Sequence, residues 1–280
     1  MTLRCGRYEL SLDRPLVMGV LNVTPDSFSD GGRFVDPSTA LDHARRMIAD
    51  GADLIDVGGE STRPGAPPTP ESVELERVVP LIEKLAASGV PVSADTRKPA
   101  VMHAAIAAGA SMINDVYALR APGALEALAG AARPVAVCLV HMLGEPATMQ
   151  QAAAYADVVA EVKAFLAARA RACEAAGIAH ERIVLDPGFG FGKTVAHNLA
   201  LLRALPEIVV LGYPVLAGLS RKSTIGALIG QERGRDTGER LAGSLAAALA
   251  AVARGAAIVR VHDVRETVDA LKVWRAIQDL

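Results

Sequence analysis

The chain has 280 residues, 29 of them basic and 31 acidic; a formal net charge of −2 gives no general attraction to nucleic acid or to acidic membranes. Its length accommodates one eight-fold α/β barrel, a fold of about 250 residues. Half of the residues (51%) are apolar and only 4% aromatic, which leaves Ala, Val and Leu to fill a large core.

In chain order, Met1–Pro15 is polar, with Arg4, Arg7, Glu9 and Asp13, and is unlike a signal peptide. Leu16–Val23 is the first near-continuous apolar run, the pattern of a strand buried on both faces, and Asn22 stands near its end. Thr24–Val35, which contains Phe28, is an irregular stretch rich in Gly, Ser and Asp. A helical pattern over Ser38–Ala49 follows, with Asp36 or Ser38 as its cap. The second run, Leu54–Val57, leads into Gly58-Gly59-Glu60-Ser61-Thr62-Arg63. A second irregular stretch, Ser61–Pro70, separates it from a helix over Glu71–Ala87. Long loops of this kind beside an active site act as lids.

Val90–Ala94 delivers Asp95-Thr96-Arg97, Ser111–Val116 carries Asn114 and Asp115, and Pro134–Val140 ends at His141 before a helix over Val158–Ala176. Arg182–Leu185 leads to Asp186-Pro187-Gly188, with Thr194 as the next helix cap. Tyr213–Ala217 leads to Ser220-Arg221-Lys222-Ser223, and Ile258–Val261 contains Arg260 and runs into His262 and Asp263. Gly51, Gly89, Gly109, Gly177 and Gly255 stand where helices should stop. The longest apolar stretch, Leu241–Ala253, ends at Arg254, short of the roughly 20 residues that a bilayer requires. A cytoplasmic location is therefore expected. Because that stretch is apolar or small on every side, a second subunit is expected to cover its outer face. Cys5, Cys138 and Cys173 share no short spacing and are expected to be buried structural thiols.

Eight strands alternating with helices predict parallel pairing with helical crossovers. An open doubly wound sheet would spread the eight strand ends along an edge, whereas a closed barrel brings them to one rim, where barrel enzymes do their chemistry. The polar residues that end nearly every strand favour the barrel. The expected fold is an α/β TIM (β/α)8 barrel, a single domain over residues 1–280 with 1–14 as an N-terminal extension.

Asp95, Asn114 and Asp186 offer planar pairs of acceptors and one amide, which together suit a heterocycle with a 2-amino-4-oxopyrimidine edge. The same groups could hold a metal, although no HExxH or paired Cys/His spacing points to zinc. Arg63, Arg221, Lys222, Arg260 and His262 place positive charge on the same rim, as phosphate binding requires. Arg260 is able to grip two oxygens at once, and Arg221 reads equally as a surface salt-bridge partner. Asn22 is a neutral oxygen ligand for a Mg2+ that a pyrophosphate also chelates. The run Asp186–Thr194 is not a phosphate-binding loop, since Pro187 replaces the leading glycine; it reads as a connection that lets Phe191 approach a flat ligand.

The segments Asn22-Val-Thr-Pro-Asp-Ser-Phe-Ser-Asp-Gly-Gly32, Gly58-Gly-Glu-Ser-Thr-Arg-Pro-Gly65, Asp186-Pro-Gly-Phe-Gly-Phe-Gly-Lys193, Ser220-Arg-Lys-Ser223 and Arg260-Val-His-Asp263 resemble those of the dihydropteroate synthase family, from about residue 15 onward. The resemblance implies a transferase of folate biosynthesis on a TIM barrel, a magnesium-dependent homodimer and a target of sulfonamides. Such an enzyme joins 6-hydroxymethyl-7,8-dihydropterin pyrophosphate to p-aminobenzoate. Its partners would be these small molecules, with neither nucleic acid nor membrane. By the same resemblance Asp95, Asn114, Asp186 and Lys222 hold the pterin, with Phe191 beside it. Asn22 binds Mg2+. Thr62, Arg260 and His262 hold the pyrophosphate, and Phe28, Arg63, Pro64 and Ser223 frame the aminobenzoate. Catalysis falls to Asn22, Lys222, Arg260 and His262. Ala94 and Thr224 depart from the family's habit, and Thr224 is expected to loosen the aminobenzoate pocket. A pterin-binding methyltransferase, a silent pterin-binding paralogue and a Schiff-base aldolase using Lys222 are the alternatives.

Overall fold

The computed structural model describes residues 1–24, 37–61, 65–145, 148–149, 153–230 and 236–278; Phe28, Asp36, Thr62, Arg63 and Pro64 lie outside the described residues. Two short strands, β1 (Thr2–Cys5) and β2 (Tyr8–Ser11), form an antiparallel hairpin. The repeating units follow: β3 (Leu16–Asn22), α1 (Pro37–Ala49), β4 (Leu54–Gly58), α2 (Glu71–Leu85), β5 (Val92–Asp95), α3 (Pro99–Ala108), β6 (Met112–Asp115) and α4 (Ala124–Ala129). The second half comprises β7 (Ala136–Val140), α5 (Val158–Ala175), β8 (Ile183–Asp186), α6 (Val195–Arg203), α7 (Leu205–Val209), β9 (Leu216–Ala217), α8 (Ser223–Ile229), α9 (Leu241–Val252), β10 (Ile258–Val261) and α10 (Val264–Gln278).

The eight strands β3 to β10 pair in parallel in the order β8-β7-β6-β5-β4-β3-β10-β9, and a bridge between Leu185 and Val215 joins the two ends. The sheet is thus a closed barrel. Its seventh strand is shorter than the apolar run Tyr213–Ala217 predicts. Pro214 has no N–H for the ladder, so its carbonyl takes Leu185 N at 2.9 Å and regular pairing is confined to Leu216–Ala217.

Along each strand one parity faces the lumen and the other the helices. Leu16 and Met18 of β3, Leu54 of β4, Met112 of β6, Ala136 and Cys138 of β7, Val184 of β8 and Ile258 of β10 form one buried cluster with Leu3 and Cys5 of the hairpin. The hairpin thereby seals the N-terminal end of the barrel. The alternate residues, among them Val17, Ile55, Val57, Ile113, Val137, Leu139 and Val259, join the helical layer instead. Continuing the lumen parity toward the other end gives Asn22, Asp56, Asp95, Asn114, Asp186 and Arg260. Apolar residues plug one half of the lumen and polar ones line the other.

The helices end as the sequence implies; at Gly109 the backbone turns left-handed (φ 116°) and its N–H caps the carbonyls of Ala105 and Ile106. Thr194 caps α6, accepting His197 N at 3.2 Å. Ser38 is not a cap. It lies inside α1, which starts at Pro37, whose fixed φ suits a first helical turn. All three cysteines are buried thiols. Among the described residues no helix is long and apolar enough to cross a membrane.

Candidate active site

The polar half of the lumen is organised around a residue that the strand-end pattern passes over. Asp56 sits in the middle of β4 and is fully buried. Its Oδ2 accepts Arg260 Nε at 2.6 Å and Asn114 Nδ2 at 3.0 Å. A second guanidinium nitrogen, Nη2 of Arg260, donates to Asp95 Oδ2 at 2.8 Å. Arg260 therefore does grip two oxygens, but both belong to carboxylates of the site. Burial raises the Asp95 carboxyl above its ordinary range, with Asp56 pushing the same way and Arg260 opposing. Asn114 is 4% exposed, and its Oδ1 and the Oδ1 of Asp56 are buried acceptors with no donor among the described residues. Such atoms are costly unless a ligand supplies the missing N–H groups.

Across the lumen, Asp186 at the end of β8 is 5% exposed and accepts Gly188 N at 2.7 Å. The glycine-rich turn then packs so closely that a Cβ on Gly188 would lie 1.9 Å from His141 O, and its φ of 69° suits glycine alone. Lys193 braces this turn from beneath. Its Nζ contacts His141 Nδ1 at 2.9 Å and the carbonyls of Gly188 and Phe191 at 3.0 and 3.1 Å. Burial lowers the Lys193 ammonium to about 7, and burial with the nearby Lys193 lowers His141 to about 3, so His141 is a neutral acceptor. His141 and Lys193 build the turn and are buried, 5% and 3% exposed.

Lys222 Nζ donates to Phe189 O and lies 4.4 Å from the centre of the Phe191 ring. Burial lowers the Lys222 ammonium to about 8, while Asp186 partly restores it. Gly218 leaves space where these groups converge: a Cβ there would meet Arg260 Cβ, Lys222 Nζ and Asp186 Oδ2 at 3.8 to 4.0 Å. Asp95, Asn114, Asp186, Lys222, Phe191 and Arg260 are thus brought to one mouth.

The strand-eight rim differs from the expectation of a uniformly positive cluster. His262 is lowered to about 3, by burial first and then by Arg260 and Arg221, and its Nδ1 lies 3.1 Å from Ser220 Oγ. It is a neutral hydrogen-bonding group in this structure. Arg221 forms a two-pronged pair with Asp263, with Nε to Oδ2 at 3.0 Å, which settles it as an ion-pair partner. Ser223 is exposed at the start of α8. Thr224 faces away, accepting Asn198 Nδ2 at 2.9 Å between α6 and α8, so the departure at 224 falls in helix packing.

A second network rings the mouth. Glu60 takes Lys98 Nζ at 2.8 Å and Arg97 Nη2 at 3.3 Å, and its Oε1 also accepts Thr69 N at 3.2 Å, tying together the two ends of residues 60–69. Lys98 also reaches the fully buried Glu74, and Arg97 lies over the Tyr117 ring, 4.8 Å from its centre. Burial pushes the Glu60 carboxyl up, but the hydrogen bonds from Lys98 and Arg97 outweigh it and hold the group low.

Asn22, half-buried at the end of β3, offers an amide oxygen into a cradle. A Cβ on Gly58 would lie 3.3 Å from Asn22 Oδ1 and 3.7 Å from Asp95 Oδ2. Among the described residues no cluster of three or more His, Cys, Asp or Glu could hold a metal. One neutral oxygen suits Mg2+, which keeps waters and takes its other ligands from substrate phosphates.

The sequence matches the family of pterin-binding enzymes over residues 18–262. It is 53% identical over 279 residues to the dihydropteroate synthase of Neisseria meningitidis serogroup B, covering 98% of this chain and 96% of that one. The Burkholderia cenocepacia dihydropteroate synthase complexed with 7,8-dihydropteroate superposes with a TM-score of 0.89 at 55% identity, covering 99% of this chain and 96% of the other. The Yersinia pestis enzyme in a sulfonamide drug complex superposes with a TM-score of 0.94 at 48% identity, covering 100% of both chains. The chain belongs to the dihydropteroate synthase family of pterin-binding enzymes.

Proposed function

We propose that the barrel mouth condenses 6-hydroxymethyl-7,8-dihydropterin pyrophosphate with p-aminobenzoate, releasing 7,8-dihydropteroate and pyrophosphate. The observation that carries this reading is the set of acceptors on buried Asn114 and Asp186 and half-buried Asp95, with Lys222 beside Asp186 at the same mouth. The N–H donors of a pterin's pyrimidine edge meet carboxylate and amide oxygens, while the Lys222 ammonium meets its acceptor side. Phe191 closes one side of the space beneath Lys222.

In the reaction the methylene C–O bond breaks, its electrons leaving with pyrophosphate, and the aryl amine forms the C–N bond and then loses a proton. Asn22 would hold Mg2+ together with the substrate's phosphates, and the ion, when bound, would supply charge to the leaving group. Arg260 adds a fixed positive charge at the base of the site, and neutral His262 adds an N–H donor. Arg260 serves by its field, because two of its nitrogens are already engaged by Asp56 and Asp95. Thr62, Phe28, Arg63, Pro64 and Ser223 complete the pyrophosphate and aminobenzoate subsites, as the family resemblance implies. The direct test is product formation: mixing both substrates with Mg2+ yields dihydropteroate, identified by mass. A chelator stops the reaction and added Mg2+ restores it. Absence of product from folded protein rejects the reading.

A pH dependence follows from Lys222. With its ammonium near 8, facing Asp186, Arg260 and Asp95, the amine is protonated below that value and loses its proton above it. Pterin affinity should hold up to about pH 8 and decline as pH rises further. Lys222→Met should bind weakly at every pH and lack the alkaline decline. Calorimetric titrations from pH 6 to 10 read this out, and the same decline in Lys222→Met would assign it to another group.

The chain is also proposed to be a cytoplasmic homodimer. On the face formed by α8, α9 and α10, Leu228, Ile229, Val273 and Ile277 are exposed beside the Ala- and Leu-rich α9. Apolar groups grouped in this way mark an interface. Light scattering at micromolar concentration should give twice the chain mass, and Ile277→Glu should shift it toward the monomer. A monomeric wild-type mass rejects the proposal.

A further inference from the structure

The carboxylate of Asp56 is in a different position from the other acids of the mouth. It lies mid-strand, in register with Val20 of β3 and Ser93 of β5, one layer nearer the apolar plug than Asp95 and Asn22. Its Oδ2 reaches Asn114 on β6 and Arg260 on β10, each two strands from β4 on opposite sides. One oxygen thus spans five consecutive strands through the lumen.

Each contact removes a choice. An asparagine amide can present either end, but with Nδ2 given to Asp56 at 3.0 Å the end of Asn114 left over is the acceptor Oδ1, which is buried without a donor among the described residues. A guanidinium held at one nitrogen can swing. Arg260 is held at Nε by Asp56 and at Nη2 by Asp95, which fixes its plane. We propose that Asp56 is a positioning residue for the pterin site, setting the amide orientation of Asn114 and the guanidinium plane of Arg260. Without its carboxylate the Asn114 amide is free to turn its NH2 toward the pterin N–H edge, where donor faces donor. This inference rests on the reading of the mouth as a pterin site.

The test is a double-mutant cycle of Asp56→Ala and Asn114→Ala, read by steady-state kinetics with both substrates and by calorimetry with the pterin pyrophosphate. Asp56→Ala should raise the KM and Kd for the pterin substrate by about thirtyfold or more, as expected for a broken buried network, and change the KM for p-aminobenzoate by less than about twofold. Asn114→Ala should cost much less in the Asp56→Ala background than in the wild type, because both changes remove the same oriented acceptor. Asp56→Asn, which keeps the shape and one acceptor, should fall in between; should Asp56→Ala not fold, the cycle is run with Asp56→Asn. Wild-type pterin affinity in a folded variant, effects of the two changes that multiply independently, or equal losses for both substrates would each overturn the proposal. Turnover by the wild type decides the underlying functional reading separately.

Discussion

Asp186→Ala is expected to weaken binding of the pterin pyrophosphate by about 2–5 kcal/mol, roughly thirtyfold to several thousandfold, because it deletes one partner of a buried, charge-assisted pair and leaves the other without an acceptor. Asp186 is 5% exposed, faces Lys222 across the space left by Gly218, and has its second duty in holding Gly188 N at 2.7 Å. Asp186→Asn separates the two duties. Its amide oxygen can still take the Gly188 N–H, so the turn survives, but it no longer presents a carboxylate to the ligand. Affinity close to that of Asp186→Ala, with an unchanged melting temperature, assigns the loss to the ligand contact. Wild-type affinity in either variant removes Asp186 from the pterin site.

Arg260→Leu should cost about 3–5 kcal/mol of folding stability as well as turnover, since breaking a buried ion pair strands its partners. Here the partners are two carboxylates, Asp56 and Asp95, at 2.6 and 2.8 Å. Asp95 is raised above its unfolded value already in the wild type. The folded state therefore binds a proton that the unfolded state does not, and this contribution favours folding at low pH and fades as pH rises through the folded value. Removing Arg260 removes the charge that opposes the rise, so the slope steepens. The deficit of Arg260→Leu relative to the wild type should be smaller at pH 5 than at pH 8, measured by urea unfolding at both. A deficit below about 1 kcal/mol, or one that grows toward acid, contradicts a buried charged network at this position.

The barrel and most of its mouth were legible in the sequence because strand ends announce themselves. Asp95 and Asp186 follow apolar runs, Asn114 and Arg260 stand near the ends of theirs beside further polar residues, and all four are on lumen parity. Asp56 was missed because it sits inside its apolar run, where a lone acid between Ile55 and Val57 attracts little notice. Its parity with Leu54 was the available signal. The network of Glu60, Glu74, Arg97 and Lys98 was missed for another reason: it joins three segments, and composition says nothing of which segments meet. Charge state was the least legible property. His262 and Arg221 look alike in sequence as basic residues beside Arg260, yet burial leaves one neutral and Asp263 engages the other.

The most direct measurement of this chemistry is pyrophosphate release from the pterin substrate, with and without p-aminobenzoate, in the presence of Mg2+. Release should depend on p-aminobenzoate and match dihydropteroate one for one. Release to water alone at the same rate, or no release by folded protein that binds the pterin, would contradict it.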